Sequence, residues 1–176
     1  MKNSIFALFI LIIIALGGWE LYRMHNEAAL ARITDFDTCA AQYPVMESYP
    51  EQCATPDGRH FVRNIGNAVA KRDLIYANNP APNAVVSGDV HIVGEARGTW
   101  FFEASFPIEL TDASGKIIAQ THAKAKSDWM TTEFVPFDAT ITVPSGTTGK
   151  GTLVLKKDNP SGLPEKDDEL DVPVEF

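Results

Sequence analysis

The chain has 176 residues, 45% hydrophobic and 22% charged, a globular composition that argues against wholesale disorder and allows one ordinary domain with appendages rather than two large ones. Its net charge is −8, and residues 158–176 hold seven acids (Asp158, Glu165, Asp167, Asp168, Glu169, Asp171 and Glu175) against the single base Lys166. That balance argues against a nucleic-acid partner, whose phosphates require clustered Lys and Arg.

At the N-terminus, Met1 and Lys2 precede an apolar run over residues 5–16, followed by Gly17, Gly18 and Trp19. The run is shorter than the about 20 apolar residues of a bilayer-crossing helix, but Asn3, Ser4 and the interfacial Trp19 and Tyr22 stretch it to a marginal span. The expectation is a single-pass membrane helix, with everything after it outside the cytoplasm. Ala15 and Gly17 have the spacing of a signal peptidase site, so a cleaved signal and a secreted chain is the alternative. No cysteine follows the run, which removes a lipid-modified N-terminus. Residues 20–33 (ELYRMHNEAALARI) have helix-forming composition and extend the anchor as a stalk, giving a first segment of 1–33.

Residues 34–63 form a small module with Pro44, Pro50, Pro56 and the turn pair Asp57-Gly58, and with few residues to build a core. A piece this small needs a staple. Cys39 and Cys53 are the two cysteines of the chain, with thirteen residues between them. In an exported chain an even, closely spaced pair favours a disulfide over a metal site, since a zinc site ordinarily takes about four donors and only His60 is near.

Residues 64–73 carry no firm pattern and read as a linker or short helix. From residue 74 onwards short strands alternate with turns, and a domain over 74–176 is expected. Strand signals fall at 74–76, 85–86, 91–95, 99–110, 116–125, 134–143, 150–155 and 170–176. Asn79-Pro80-Ala81-Pro82-Asn83, Ser87-Gly88 and Asp112-Ala113-Ser114-Gly115 lie between them as turns. In 99–110 the period of two puts Trp100, Phe102, Ala104, Phe106, Ile108 and Leu110 inward and Phe101, Glu103, Ser105, Pro107 and Glu109 outward. The same rule turns Ile117, Ala119, Thr121, Ala123 and Ala125 to one face, and likewise Val135, Phe137, Ala139, Ile141 and Val143. Pro107 and Pro136 are expected at edges or bulges, because proline cannot donate to a ladder. The whole reads as an all-β, immunoglobulin-like antiparallel β-sandwich.

Three blocks in order, GEARGTWFFEASFPIEL, DWMTTEFVPFDATITV and GTLVLKKDNPSGLPEKDDELDVPVEF, are similar to the immunoglobulin-like domain of bacterial spore germination proteins, the second of the Gmad domains. The resemblance spans residues 74–176. It implies a bacterial, extracytoplasmic β-sandwich that serves in interaction rather than catalysis. The germination-type domain that often accompanies it is not seen here, so a role in germination is not carried over. The cysteine module, with YPVMESYPEQC, resembles a short segment that accompanies this domain in other bacterial exported proteins.

Candidate sites are few. Trp129 and Met130 belong to no alternating run and sit in a loop at one end of the sandwich, where partner contacts collect. Asp158, Asp167, Asp168 and Glu169 could offer oxygens to calcium, which takes about six to eight, but their spacing is not that of a regular calcium loop. Asn159, Pro160, Ser161 and Gly162 read as a fixed turn. Catalysis finds no support: His25, His60, His91 and His122 are scattered, no G-x-S-x-G motif occurs, and Glu103 and Glu109 stand about 20 Å apart on a strand, too far for a hydrolytic carboxylate pair. No cofactor is indicated, since Gly146, Gly149 and Gly151 precede no helix. The expected function is that of a membrane-anchored interaction module for a protein or cell-envelope component. Two alternatives stay open. The domain could be a structural spacer or assembly subunit of the envelope, or the cysteine module (QCATPDGRHFV) could inhibit a protease, as its loose resemblance to Kazal-type inhibitors implies, although that family is held by several disulfides.

Overall fold

The computed structural model describes residues 2–176, with side chains described from residue 16 onwards. The chain divides after Arg63 into two compact units.

The first unit holds helix α1 (Lys2–Ala31), helix α2 (Phe36–Ala40) and an antiparallel three-stranded sheet of β1 (Val45–Met46), β2 (Gln52–Ala54) and β3 (His60–Val62), in that order. The anchor expected over residues 5–16 lies almost wholly outside the described side chains. Among the described residues no helix is long and apolar enough to cross a membrane. Helix α2 starts on a capping box: Thr38 N donates to Asp35 Oδ1 at 2.8 Å and Asp35 N donates to Thr38 Oγ1 at 3.2 Å. The helix end before it is closed from a distance, because Arg59 donates from Nη1 to Ile33 O at 2.7 Å and from Nη2 to Leu30 O at 2.8 Å. These carbonyls lie where the helix ends and its regular donors run out, and Leu30 O also accepts from Ile33 N at 3.0 Å.

The buried core of this unit is Ile33, Phe36, Cys39 and Cys53. Cys39 on α2 and Cys53 on β2 form a disulfide with Cα atoms 6.1 Å apart, tying helix to sheet. The Asp57 carboxyl is held below its ordinary value of 3.8, mainly by the Thr55 hydroxyl and also by Arg59, with desolvation opposing them. Its contribution to stability is therefore complete above 3.8 and is lost as pH falls below it. Replacing both cysteines by alanine is expected to destabilise this unit by about 3 kcal/mol. Hydrogen exchange should show faster opening of amides in 34–63 and unchanged protection in 74–176.

The second unit begins with helix α3 (Ala68–Lys71) and continues through β4 (Ile75–Asn79), β5 (Ala84–Val85), β6 (Asp89–Arg97), β7 (Ser105–Asp112), β8 (Ile117–Ala125), β9 (Phe134–Thr142), β10 (Lys150–Lys156) and β11 (Glu169–Glu175). The strands form one curled sheet in the order β4-β6-β9-β8-β7-β10-β11-β5. Strands β8 and β9 share only the rungs Lys124–Asp138 and Ala125–Phe137, so the sheet folds there into two layers. Side chains from both layers meet inside: Phe106 of β7 lies edge-on to Phe137 of β9, with ring centres 5.0 Å apart. Alternation places Val135, Phe137, Ala139 and Ile141 of β9, Leu153 and Leu155 of β10, and Leu170, Val172 and Val174 of β11 in this core.

Several expectations are corrected. The sheet is not wholly antiparallel, since β5 runs parallel to β11. Residues 99–110 are not one strand. A 3-10 turn covers Gly98–Trp100, and Phe102 and Ser105 then exchange both backbone hydrogen bonds at 3.0 Å around Glu103 and Ala104, which take positive φ of 48° and 61°. The 3-10 turn already breaks the alternation before this reversal, and Trp100 and Phe101 are both buried while Phe102 is 40% exposed. Ile117 is also exposed, because a register shift opposite Leu110 and Thr111 displaces the start of β8.

Pro107 and Pro136 lie in inner strands rather than at edges. Pro107 directs its nitrogen to the β10 side just beyond Ile108, where that ladder has stopped, and Pro136 faces the β8 side beyond the last rung. Neither position needs a donor.

Residues 64–73, expected as a linker or short helix, contain the short helix α3 and are fastened along β11. Ile65 is buried, Asn67 Nδ2 donates to Glu169 O at 2.9 Å and Asp171 N donates to Asn67 Oδ1 at 2.9 Å.

Candidate functional site

The loop between β8 and β9 carries Trp129 and Met130, and its shape comes from short polar contacts. Met130 N donates to Asp128 Oδ1 at 3.0 Å, Thr131 N to Trp129 O at 2.8 Å and Glu133 N to Thr131 Oγ1 at 3.1 Å. The loop is also held from the side. Gly98 N donates to Glu133 O at 3.1 Å, Arg97 Nη1 to Thr132 O at 3.3 Å, and the Arg97 guanidinium lies 4.0 Å above the centre of the Phe134 ring.

Gly98 is required for this approach: a Cβ there would stand 2.1 Å from Thr131 O and 2.3 Å from Trp129 O. Trp129 is half-buried and packs on the sandwich core, whereas Met130 is 77% exposed. Together with Gly98, Thr99, Phe101, Thr131 and Thr132 they line an open hollow of about 580 Å³. Gly98, Thr99 and Phe101 are the members that sequence reasoning missed, because residues 99–110 read as one continuous strand and the 3-10 turn at Gly98–Trp100 carries no signal in the alternation. The Gly98→Ala variant is expected to push the Trp129 loop outward, seen as a red shift of tryptophan emission with the strand content in circular dichroism retained.

The acids proposed for calcium line a second hollow, of about 620 Å³, with Pro107, Lys156, Lys157 and Asn159. Asp168 is ion-paired with Lys71 and its Oδ1 accepts from Glu169 N at 2.9 Å, and Asp167 Oδ1 accepts from Asn159 Nδ2 at 2.7 Å. Asp158 serves through its backbone, donating to Trp100 O at 3.0 Å. Among the described residues no three His, Cys, Asp or Glu side chains converge in a way that could hold a metal ion. The Asn159 turn forms as expected: Ser161 N donates to Asn159 Oδ1 and Gly162 N to Asn159 O, both at 3.2 Å, with Gly162 at φ 63°. Glu109 accepts from Lys156 Nζ at 3.0 Å and from Gln120 Nε2 at 3.2 Å, a cross-strand network. His25, His60, His91 and His122 are all exposed.

The sheet order, the core and the loop geometry describe an immunoglobulin-like scaffold without an assembled reactive group among the described residues. No curated protein and no solved structure matches the chain. The family model for the immunoglobulin-like domain of bacterial spore germination matches residues 74–163, from the entry to β4 through the Asn159 turn. That match covers just over half of the 176 residues, and the chain therefore belongs to the family of the immunoglobulin-like domain of bacterial spore germination.

Proposed function

We propose that this protein is a membrane-anchored, extracytoplasmic interaction module that binds a protein or cell-envelope component without chemistry of its own. The family supports the coarse part of this reading, an interaction or structural module. The observation that carries the finer part is Met130, a flexible apolar side chain 77% exposed on a loop whose backbone is otherwise fixed. A thioether of this kind adapts to a partner surface, and the rigid loop lowers the entropy lost on binding. Anchoring is assigned to the apolar residues 5–16, with the stalk of α1 between them and the folded units.

Two measurements test the reading. Crosslinked pull-downs from native bacterial envelopes, with the full chain as bait, should recover a partner that a Trp129→Ala, Met130→Ala variant captures at least about tenfold less well, the loss typical of truncating a contact hot spot. Equal capture by both would move the site elsewhere, and no capture would favour an envelope spacer. Carbonate extraction of membranes should leave the full chain in the pellet and release a chain lacking residues 1–18.

A further inference from the structure

Within the two strands, the rungs Lys124–Asp138 and Ala125–Phe137 alone join β8 to β9, and the backbone pairing ends just past β8 with Lys126 N donating to Pro136 O. From Ile117 to Ala123, β8 keeps its ladder with β7 alone. The direction of the backbone groups left over follows from alternation, in which successive residues of a strand bond to opposite neighbours. Ala125 N donates to Ala104 O on the β7 side and Lys126 N to Pro136 O on the β9 side. Gln120 and His122 share the parity of Lys126, so their N–H and C=O groups point to the flank that β9 has left. The partner opposite His122 in β7 is Pro107, which has no N–H to give, in keeping with a rung that exchanges no hydrogen bonds. Among the described residues no backbone group pairs with Gln120 or His122 on the open side, and both residues are exposed.

The charge on this edge selects its occupant. Residues 116–127 contain Lys116, Lys124 and Lys126 and no acid, within a chain of net charge −8. Lys126 is engaged by Asp138 at 2.8 Å, leaving Lys116 and Lys124 at the two ends of the open stretch. A second copy pairing antiparallel about Gln120 would set Lys116 against Lys124 twice, a repulsion that guards sheet edges against self-association. An extended segment with acidic side chains on its outer face meets the opposite situation. Its alternate side chains would fall on the rim of the core beside the half-buried Ala119 and Thr121.

We propose that the β8 edge is a docking strand for an extended acidic segment of a partner protein, added antiparallel or parallel through the backbone groups of Gln120 and His122. The proposal goes beyond the Trp129–Met130 face and does not rest on it.

The test uses the full chain in detergent and a fluorescein-labelled octapeptide of alternating Glu and Val, with the Lys and Val octapeptide as its counterpart. Anisotropy should show binding of the acidic peptide that weakens as salt is raised, and hydrogen exchange should slow in residues 118–123. Gln120→Pro, which removes an open-edge donor, should weaken binding roughly tenfold. The Lys116→Glu, Lys124→Glu variant, which leaves the backbone intact, should reverse the preference to the basic peptide. The Trp129→Ala, Met130→Ala variant should bind the acidic peptide as the unaltered chain does. Failure of the acidic peptide to bind, equal binding of the two peptides, or binding without protection of 118–123 would each overturn the proposal.

Discussion

The contact on which the sandwich depends is the edge-on meeting of Phe106 and Phe137, one from each layer of a sheet that is continuous through only two rungs. Hydrogen bonds alone would let the layers hinge at β8 and β9. The rings close the hinge, with Phe101 stacked edge-on to Phe106 at 5.2 Å extending the aromatic column towards the end that carries the Trp129 loop. Gly94 makes the arrangement possible, because a Cβ there would lie 2.7 Å from the tip of the Phe137 ring and 2.1 Å from Tyr76 O. Edge-to-face aromatic pairs contribute about 0.5–1.5 kcal/mol beyond their buried area, enough to favour one closure of the sheet over looser ones.

The first unit solves the opposite problem. With four buried hydrophobic residues among those described it has little core to hold it together, and it relies on directed links: the disulfide, the capping box of α2, and the Arg59 fork on the carbonyls at the end of the helix before it. Arg63 adds a cation over the Phe36 ring at 4.4 Å and pairs with Glu51 at 2.5 Å. Units with so small a core commonly rely on covalent and polar staples in this way.

The functional reading depends on charge and edges more than on a cleft. Acidity gathered at the C-terminal end is partly engaged inside the second unit, where Asp168 pairs with Lys71 and the Asp171 carboxylate accepts from Asn67 Nδ2 at 3.5 Å. The β8 flank carries the opposite sign on exposed backbone. An immunoglobulin-like scaffold offers loops at its ends and strand edges at its sides, and here one loop presents the exposed apolar side chain of Met130 while one edge is basic and unpaired.

Much of this architecture was already legible in the chain. Strict alternation in β9 and in Phe106, Ile108 and Leu110 of β7 fixes which side chains face inward, because the pleat leaves a strand no other way to bury them. The two cysteines and the block pattern of 74–176 were equally plain, as local composition carried them. Other features depend on residues distant in sequence. The reversal at Glu103-Ala104 has no turn signature, and the parallel rung of β5 on β11 and the fastening of residues 64–73 join segments far apart along the chain. The parting of β8 from β9 is likewise invisible to periodicity, since a strand reads the same whether one or both of its edges are paired. Patterns of two report the face of a residue and nothing of its neighbours across the sheet, so the core could be read from the residues while the loop hollow and the open edge had to wait for the packed chain.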